Sequence, residues 1–199
     1  MASVSTPEFW EERYAQREDG WEMGRAHPSL AYWIATTPPP PGRIAVPGCG
    51  RGHDARLLAG RGYDVVGFDF AASIVTEART LAEREGLTVQ FEQADVFTLP
   101  ARYSHAFDGV WEYTCFCAID PRRRAEYVDA MAAILRPGGW LLAVFFPMRS
   151  YGAGPPYPVA RDEVRQLLAP RFRIERELAP PVPVPRRLGQ EWMVFAYRV

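Results

Sequence analysis

The 199 residues predict an α/β fold: a doubly wound, seven-stranded, mostly parallel sheet behind an N-terminal helical arm rich in aromatic residues. Three observations predict it. From Arg43 onward, short apolar runs rich in β-branched or aromatic residues alternate with segments of helical periodicity, a pattern that lays strands in parallel with helices over both faces. A glycine-rich turn, VPGCGRGHD, joins the first such run to the first helical segment of the core. The last two runs have no helix between them, so they are expected to pair antiparallel.

The arm covers residues 1–42. TPEFWEERYAQREDGWEMGRAHPSLAYWI carries Trp10, Tyr14, Trp21, Tyr32 and Trp33 in two short helical patterns. Thr6-Pro7-Glu8 reads as a helix start, because the fixed φ of proline suits the first helical position. TTPPPPG closes the arm, since consecutive prolines cannot continue a helix. The core, 43–199, has strands at RIAV, DVVGFDF, TVQFEQ, FDGVWEY, WLLAVFF, FRIERELA and EWMVFAYRV. Its helical segments are HDARLLAGRG, AASIVTEARTLAEREG, PRRRAEYVDAMAAILRPGG and ARDEVRQLLAP; in the third, Tyr127, Met131, Ile134 and Leu135 share one face. Arm and core are expected to form one domain over 1–199.

A hydrophobic content of 48% is enough for a sizeable core. The net charge of -1 gives no electrostatic case for nucleic acid or an anionic membrane as partner. No apolar run approaches the roughly 18 residues of a membrane span, and the N-terminus lacks the form of a secretory signal. Cys49, Cys115 and Cys117 are few and odd in number, which speaks against a disulfide framework. The expectation is a cytoplasmic monomer with a small-molecule substrate and no metal.

In such a sheet, ligands bind outside the carboxyl ends of the strands. Glycines in VPGCGRGHD let a bulky ligand lie against bare main chain. A dinucleotide fingerprint would need a third small residue where His53 stands, which weakens that reading. Gly48-x-Gly50-x-Gly52 instead fits the S-adenosylmethionine loop of class I methyltransferases. Asp69, ending the second strand, is placed to accept from ribose hydroxyls, and Asp95, after the third, to reach the adenine amino group.

The segments FWEERYAQREDGWEMGRAHPSL, VPGCGRGHD, FDGVWEYTCFCAIDP, LRPGG and GAGPPYPV span nearly the whole chain. Through them the chain resembles the thiopurine S-methyltransferase superfamily, and within it the thiol, halide and thiocyanate methyltransferases. The resemblance implies that N-terminal tryptophans help to enclose the cofactor: Trp10 and Trp21 match two of three, and Tyr14 stands in the place of the other. It also implies a glycine-loop contact at Gly48, the ribose acid at Asp69, adenine contacts at Asp95 and Val96, and a contact after the fourth strand at Tyr113. A tyrosine of the GPPYPV motif approaches the acceptor in that family, which makes Tyr157 the candidate catalytic residue. Independently, indole faces attract cations, and the cofactor carries a sulfonium.

Methyl transfer to a soft anion needs alignment more than a general base. The candidate bases are thin: His53 at a helix start, His27 in the arm, His105 in a turn, and Glu112 after the fourth strand. Cys115 and Cys117 are read as apolar packing or as lining of the acceptor pocket. Arg149 and Arg161 flank the Tyr157 loop and are read as solvated, as is the run Arg122 to Arg124. Three functions stay open: a methyltransferase for small sulfur nucleophiles or halides, one for a larger thiopurine or natural-product acceptor, and a non-catalytic cofactor-binding protein.

Overall fold

Strands buried on both faces must be apolar almost throughout. β1 (Arg43–Pro47), β2 (Asp64–Asp69) and β4 (Phe107–Tyr113) each leave only one residue short of full burial. The computed structural model describes residues 3–150 and 152–199. With β3 (Gln90–Gln93), β5 (Leu135–Phe145), β6 (Phe172–Leu178) and β7 (Trp192–Arg198), these strands form a seven-stranded sheet of order β3-β2-β1-β4-β5-β7-β6. The first five strands run parallel, and β7 is antiparallel to both β5 and β6. Strand order reverses between β1 and β4, and a crevice opens at their carboxyl ends.

Helices α2 (Pro28–Thr36), α3 (His53–Ala59) and α4 (Ala72–Arg84) cover one face of the sheet. Leu30, Trp33, Leu58, Val75 and Ala78 form part of that core layer. Helices α5 (Leu99–Tyr103), α6 (Arg124–Ile134) and α7 (Arg161–Leu168) cover the other, contributing Leu99, Tyr127, Met131 and Leu168. α1 (Pro7–Ala15) buries none of its residues. It lies over α4, where Glu11 accepts from the Ser73 N–H at 3.1 Å.

The structure departs from the sequence-based expectation in three places. α2 is a core helix rather than part of the arm, because Leu30 and Trp33 reach the sheet; α1 and the segments on either side of it line the crevice. LRPGG does not end a helix. Pro137 cannot extend α6, so β5 begins at Leu135, and Gly138 adopts φ +72° where the strand shifts register against β4. The turn between β3 and β4 holds α5, whose five residues are too short to show periodicity.

Candidate active site

Between β1 and α3 the chain takes three left-handed steps, at Gly48 (φ +61°), Gly50 (+51°) and Gly52 (+72°). Space as well as torsion requires glycine here. A Cβ on residue 48 would lie 2.9 Å from the Cys115 Cβ, and one on residue 52 would lie 2.5 Å from the Phe91 Cζ. The loop therefore packs closely against the segment after β4 and against β3. The Gly50 N–H donates to Asp69 Oδ2 at 2.9 Å, and the Ala71 N–H to Oδ1 at 3.1 Å. A carboxylate offers about four acceptor sites, so Asp69 keeps capacity for further donors. Burial pushes its pKa up to about 6, against the pull of these backbone donors.

Asp69 looks into a cavity of about 450 Å³ at the carboxyl edge of the sheet. Gly48, Asp95 and Val96 share its wall, and Trp10, Tyr14 and Trp21 roof it. The three rings meet edge to face, Trp10 on Trp21 at 5.7 Å and Tyr14 on Trp21 at 5.6 Å. The Trp10 indole N–H donates to the Val4 carbonyl at 2.9 Å, which fixes that ring. The loop bearing Trp21 is pinned to the core through Glu22, which lies 3.2 Å from Arg51 and 3.0 Å from His53. Asp95 caps the turn before α5, accepting from the Phe97 N–H at 3.0 Å. Burial raises the Tyr14 phenol well above its ordinary pKa, so it stays a neutral hydroxyl.

Cys115, Cys117, Phe146, Pro155, Pro156 and Arg187 also line the cavity, Cys115 next to Gly48 and Arg187 against the Trp21 carbonyl. Burial pushes the Cys117 thiol up to about 12, and Cys115 is raised as well, so both face the cavity as neutral, polarizable groups. Arg187 is the residue sequence reasoning missed. Its guanidinium stacks on Phe146 at 4.5 Å and donates to the Trp21 carbonyl at 3.0 Å, leaving 4% of the residue exposed. The only local signal was VPRRLG, which looks like a solvated turn.

Of the predicted site residues, Trp10, Tyr14, Trp21, Gly48, Asp69, Asp95 and Val96 come together at the cavity. Gly50 and Gly52 lie outside its wall and act on the shape of the loop. Tyr113 also lies outside it: the hydroxyl turns into a buried cluster and donates to Glu191 at 2.8 Å. Tyr157 is not in the wall either. Its N–H donates to the Cys117 carbonyl at 2.8 Å, and its ring folds over Gly154, where a Cβ would come within 2.4 Å of Cδ1. Pro155 and Pro156 take the wall position instead.

None of the candidate bases lines the cavity. His27 is fully buried and caps α2, with Nδ1 accepting from the Ser29 N–H at 3.1 Å. His53 pairs with Glu22, and His105 is exposed. Glu112 accepts from the Phe116 N–H at 2.9 Å and from the Tyr127 hydroxyl inside the core, where burial pushes it up to about 7. One reading of an arginine as solvated changes: Arg124 is buried against Glu163 at 2.9 Å, while Arg161 is exposed as expected, its guanidinium 5.5 Å from the Trp192 ring. Arg123 lies over Phe97 at the cavity mouth, while Arg122 is exposed as expected.

Among the described residues, no three His, Cys, Asp or Glu side chains gather to hold a metal, and no helix is long and apolar enough to cross a membrane. The family description Thiopurine S-methyltransferase (TPMT) matches residues 5–193. The chain is 32% identical over 185 residues to thiocyanate methyltransferase 1 of Arabidopsis thaliana, covering 92% of this chain and 81% of the relative. It is 33% identical over 174 residues to probable thiol methyltransferase 2 of the same plant, covering 85% and 75%. The Burkholderia thailandensis 1,6-didemethyltoxoflavin-N1-methyltransferase shares the fold, with a TM-score of 0.72 at 23% identity over all of this chain and 92% of that one. The chain belongs to the thiopurine S-methyltransferase family and is an S-adenosylmethionine-dependent methyltransferase.

Proposed function

We propose that this protein methylates small, soft anions such as thiocyanate, a halide, hydrosulfide or a thiolate. The observation that carries this reading is Arg187, a buried guanidinium in the cavity wall beside two neutral thiols and Phe146. A cation in a low-dielectric wall attracts an anion far more strongly than one in water. Thiols and an aromatic face suit a large, polarizable atom better than a hard, hydrated one.

The residues present fit the cofactor. Asp69 offers paired carboxylate oxygens that its own backbone donors leave unsaturated, as two vicinal ribose hydroxyls require. Asp95 and Val96 supply a polar group and an apolar surface for the adenine. Trp10, Tyr14 and Trp21 present aromatic rings that favour a nearby cation by ~0.5–2 kcal/mol, depending on desolvation. When bound, S-adenosylmethionine supplies an electrophilic methyl carbon on a sulfonium sulfur. The chain's own contribution is to hold the acceptor by Arg187, keep water out with the aromatic roof, and fix the approach. No proton has to be removed from a pre-ionised acceptor, which agrees with described cavity walls that contain no histidine.

The relatives' names support this acceptor class, since one is a thiocyanate methyltransferase and another a probable thiol methyltransferase. We take the cavity to lie within a single domain that acts as a monomer in the cytoplasm. The test is to incubate the protein with cofactor and, separately, iodide, thiocyanate, hydrosulfide and an aromatic thiol, and to analyse the headspace and the solution. Methyl iodide, methyl thiocyanate or methanethiol is expected. Exclusive methylation of the aromatic thiol would transfer the assignment to a larger acceptor, and cofactor binding without any product would leave a binding protein.

A further inference from the structure

Behind the acceptor wall lies a group of four buried polar side chains from three separate parts of the chain, none of which lines the cavity except Arg187. Tyr113 is 8% exposed, Glu191 4% and His27 0%. The Tyr113 hydroxyl donates to Glu191 Oε1 at 2.8 Å and accepts from Arg187 Nη1. Arg187 Nη1 itself stands 3.9 Å from that same carboxylate oxygen. His27 packs edge-on against the Tyr113 ring at 4.4 Å, with Nε2 3.4 Å from Glu191 Oε1. Glu191 Oε2 takes no hydrogen bond among the described residues.

The other two buried arginines are built differently. Arg56 meets Glu85 at 3.0 Å and Arg124 meets both oxygens of Glu163 at 2.9 Å. In each, the carboxylate takes the guanidinium directly, so much of the charge is answered on the spot. At Arg187 a phenol stands between the two. The buried cation has its counter-charge, as burial demands, but at 3.9 Å and not in direct hydrogen-bond contact.

We propose that Tyr113 is a positioning residue for acceptor binding. Its hydroxyl, fixed by Glu191, props the Arg187 guanidinium between the core and the Trp21 carbonyl and keeps the carboxylate one group away. An anionic acceptor therefore meets a guanidinium whose carboxylate partner stands 3.9 Å off behind the phenol instead of in direct hydrogen-bond contact. The inference rests on the reading of the acceptor as an anion, and it deepens that reading by naming what holds the cation in place.

Thiocyanate is the probe, with S-adenosylhomocysteine affinity measured on every variant as a control for fold and cofactor site. In Tyr113→Phe the spacer is lost, Arg187 settles onto Glu191, and the KM for thiocyanate rises about tenfold while cofactor-product affinity holds. Adding Glu191→Gln to Tyr113→Phe removes the quenching charge and brings the KM back down, a rescue that a merely structural tyrosine would not show. In an Arg187→Met background, Tyr113→Phe has no further effect, because both substitutions act through one group. A Tyr113→Phe enzyme with unchanged KM, or an effect that persists in full without Arg187, would overturn the proposal. If Arg187→Met itself leaves the thiocyanate KM unchanged, the anionic-acceptor reading fails instead, so the two failures are distinct.

Discussion

The residues assigned to the cofactor and those assigned to the acceptor line one cavity but are held by different chemistry. In the first group, Asp69 and Asp95 sit on or just beyond consecutive strand ends, each oriented by backbone N–H groups within a few residues or across one loop. In the second, the residues come from the loop after β4, the end of β5 and the segment beyond it, and the turn before β7, and the charge is oriented by side chains. Arg187 reaches partners 74 and 166 positions away in the sequence. Backbone-held acceptors suit a ligand that never changes. A group held by side chains can be retuned one substitution at a time, which is how one fold serves several acceptors.

Substitutions in the cofactor group are expected to have the larger effects on affinity. Asp69→Ala removes two charge-assisted hydrogen bonds to the ribose and should weaken S-adenosylhomocysteine binding about a hundredfold by calorimetry. Unchanged affinity would remove Asp69 from the site. The same carboxyl makes the ligand-free protein pH-sensitive. Its pKa rises from 3.8 to about 6 on folding, so in that window the folded chain holds more protons and stability falls as pH rises. The stabilisation is complete below the unfolded value and gone above about 6, and it amounts to ~3 kcal/mol. Glu112, pushed up to about 7, acts in the same direction. Melting curves of Asp69→Asn between pH 4 and 6 should therefore be flatter than those of the parent; an identical slope would contradict the buried-acid account.

Trp21→Ala takes one ring from the roof and should weaken S-adenosylmethionine more than its neutral by-product, by roughly tenfold against two- or threefold. Equal losses for both would show that the ring contributes area rather than attraction to a cation. The smallest effect is expected at Tyr157. Because its ring packs on Gly154 and does not line the cavity, Tyr157→Phe should leave kcat and KM within about twofold. A tenfold fall in turnover would restore the tyrosine to the acceptor site.

What sequence made legible follows from how local the physics is. The inner strands announce themselves because burial on both faces demands apolar runs, and the edge strands β3 and β6 through sparser apolar positions among polar ones; Gly48, Gly50 and Gly52 stand out because only glycine fits those torsions. Trp10, Tyr14 and Trp21 stand out as an aromatic density too high for a surface helix. α5 is hidden by its brevity, and Pro137 disguises a strand start as a helix end. Arg187 is hidden for a different reason. Arg186 and Arg187 are adjacent and alike, and only the fold determines that one is buried against Tyr113, Trp21 and Phe146 while the other donates to the Glu22 carbonyl nearer the surface. Tyr113 enters the site only through the family resemblance, and a place at a strand end carries no information about which way its hydroxyl turns.

The central claim is that a buried guanidinium in the cavity wall selects an anion. It is tested most directly by comparing kcat/KM for thiocyanate between the parent enzyme and Arg187→Met, with S-adenosylhomocysteine affinity measured on both. The account predicts a loss of about a hundredfold in kcat/KM with by-product affinity changed no more than about threefold. Equal kcat/KM in the two proteins, or a loss matched by an equal loss of by-product affinity, would contradict it.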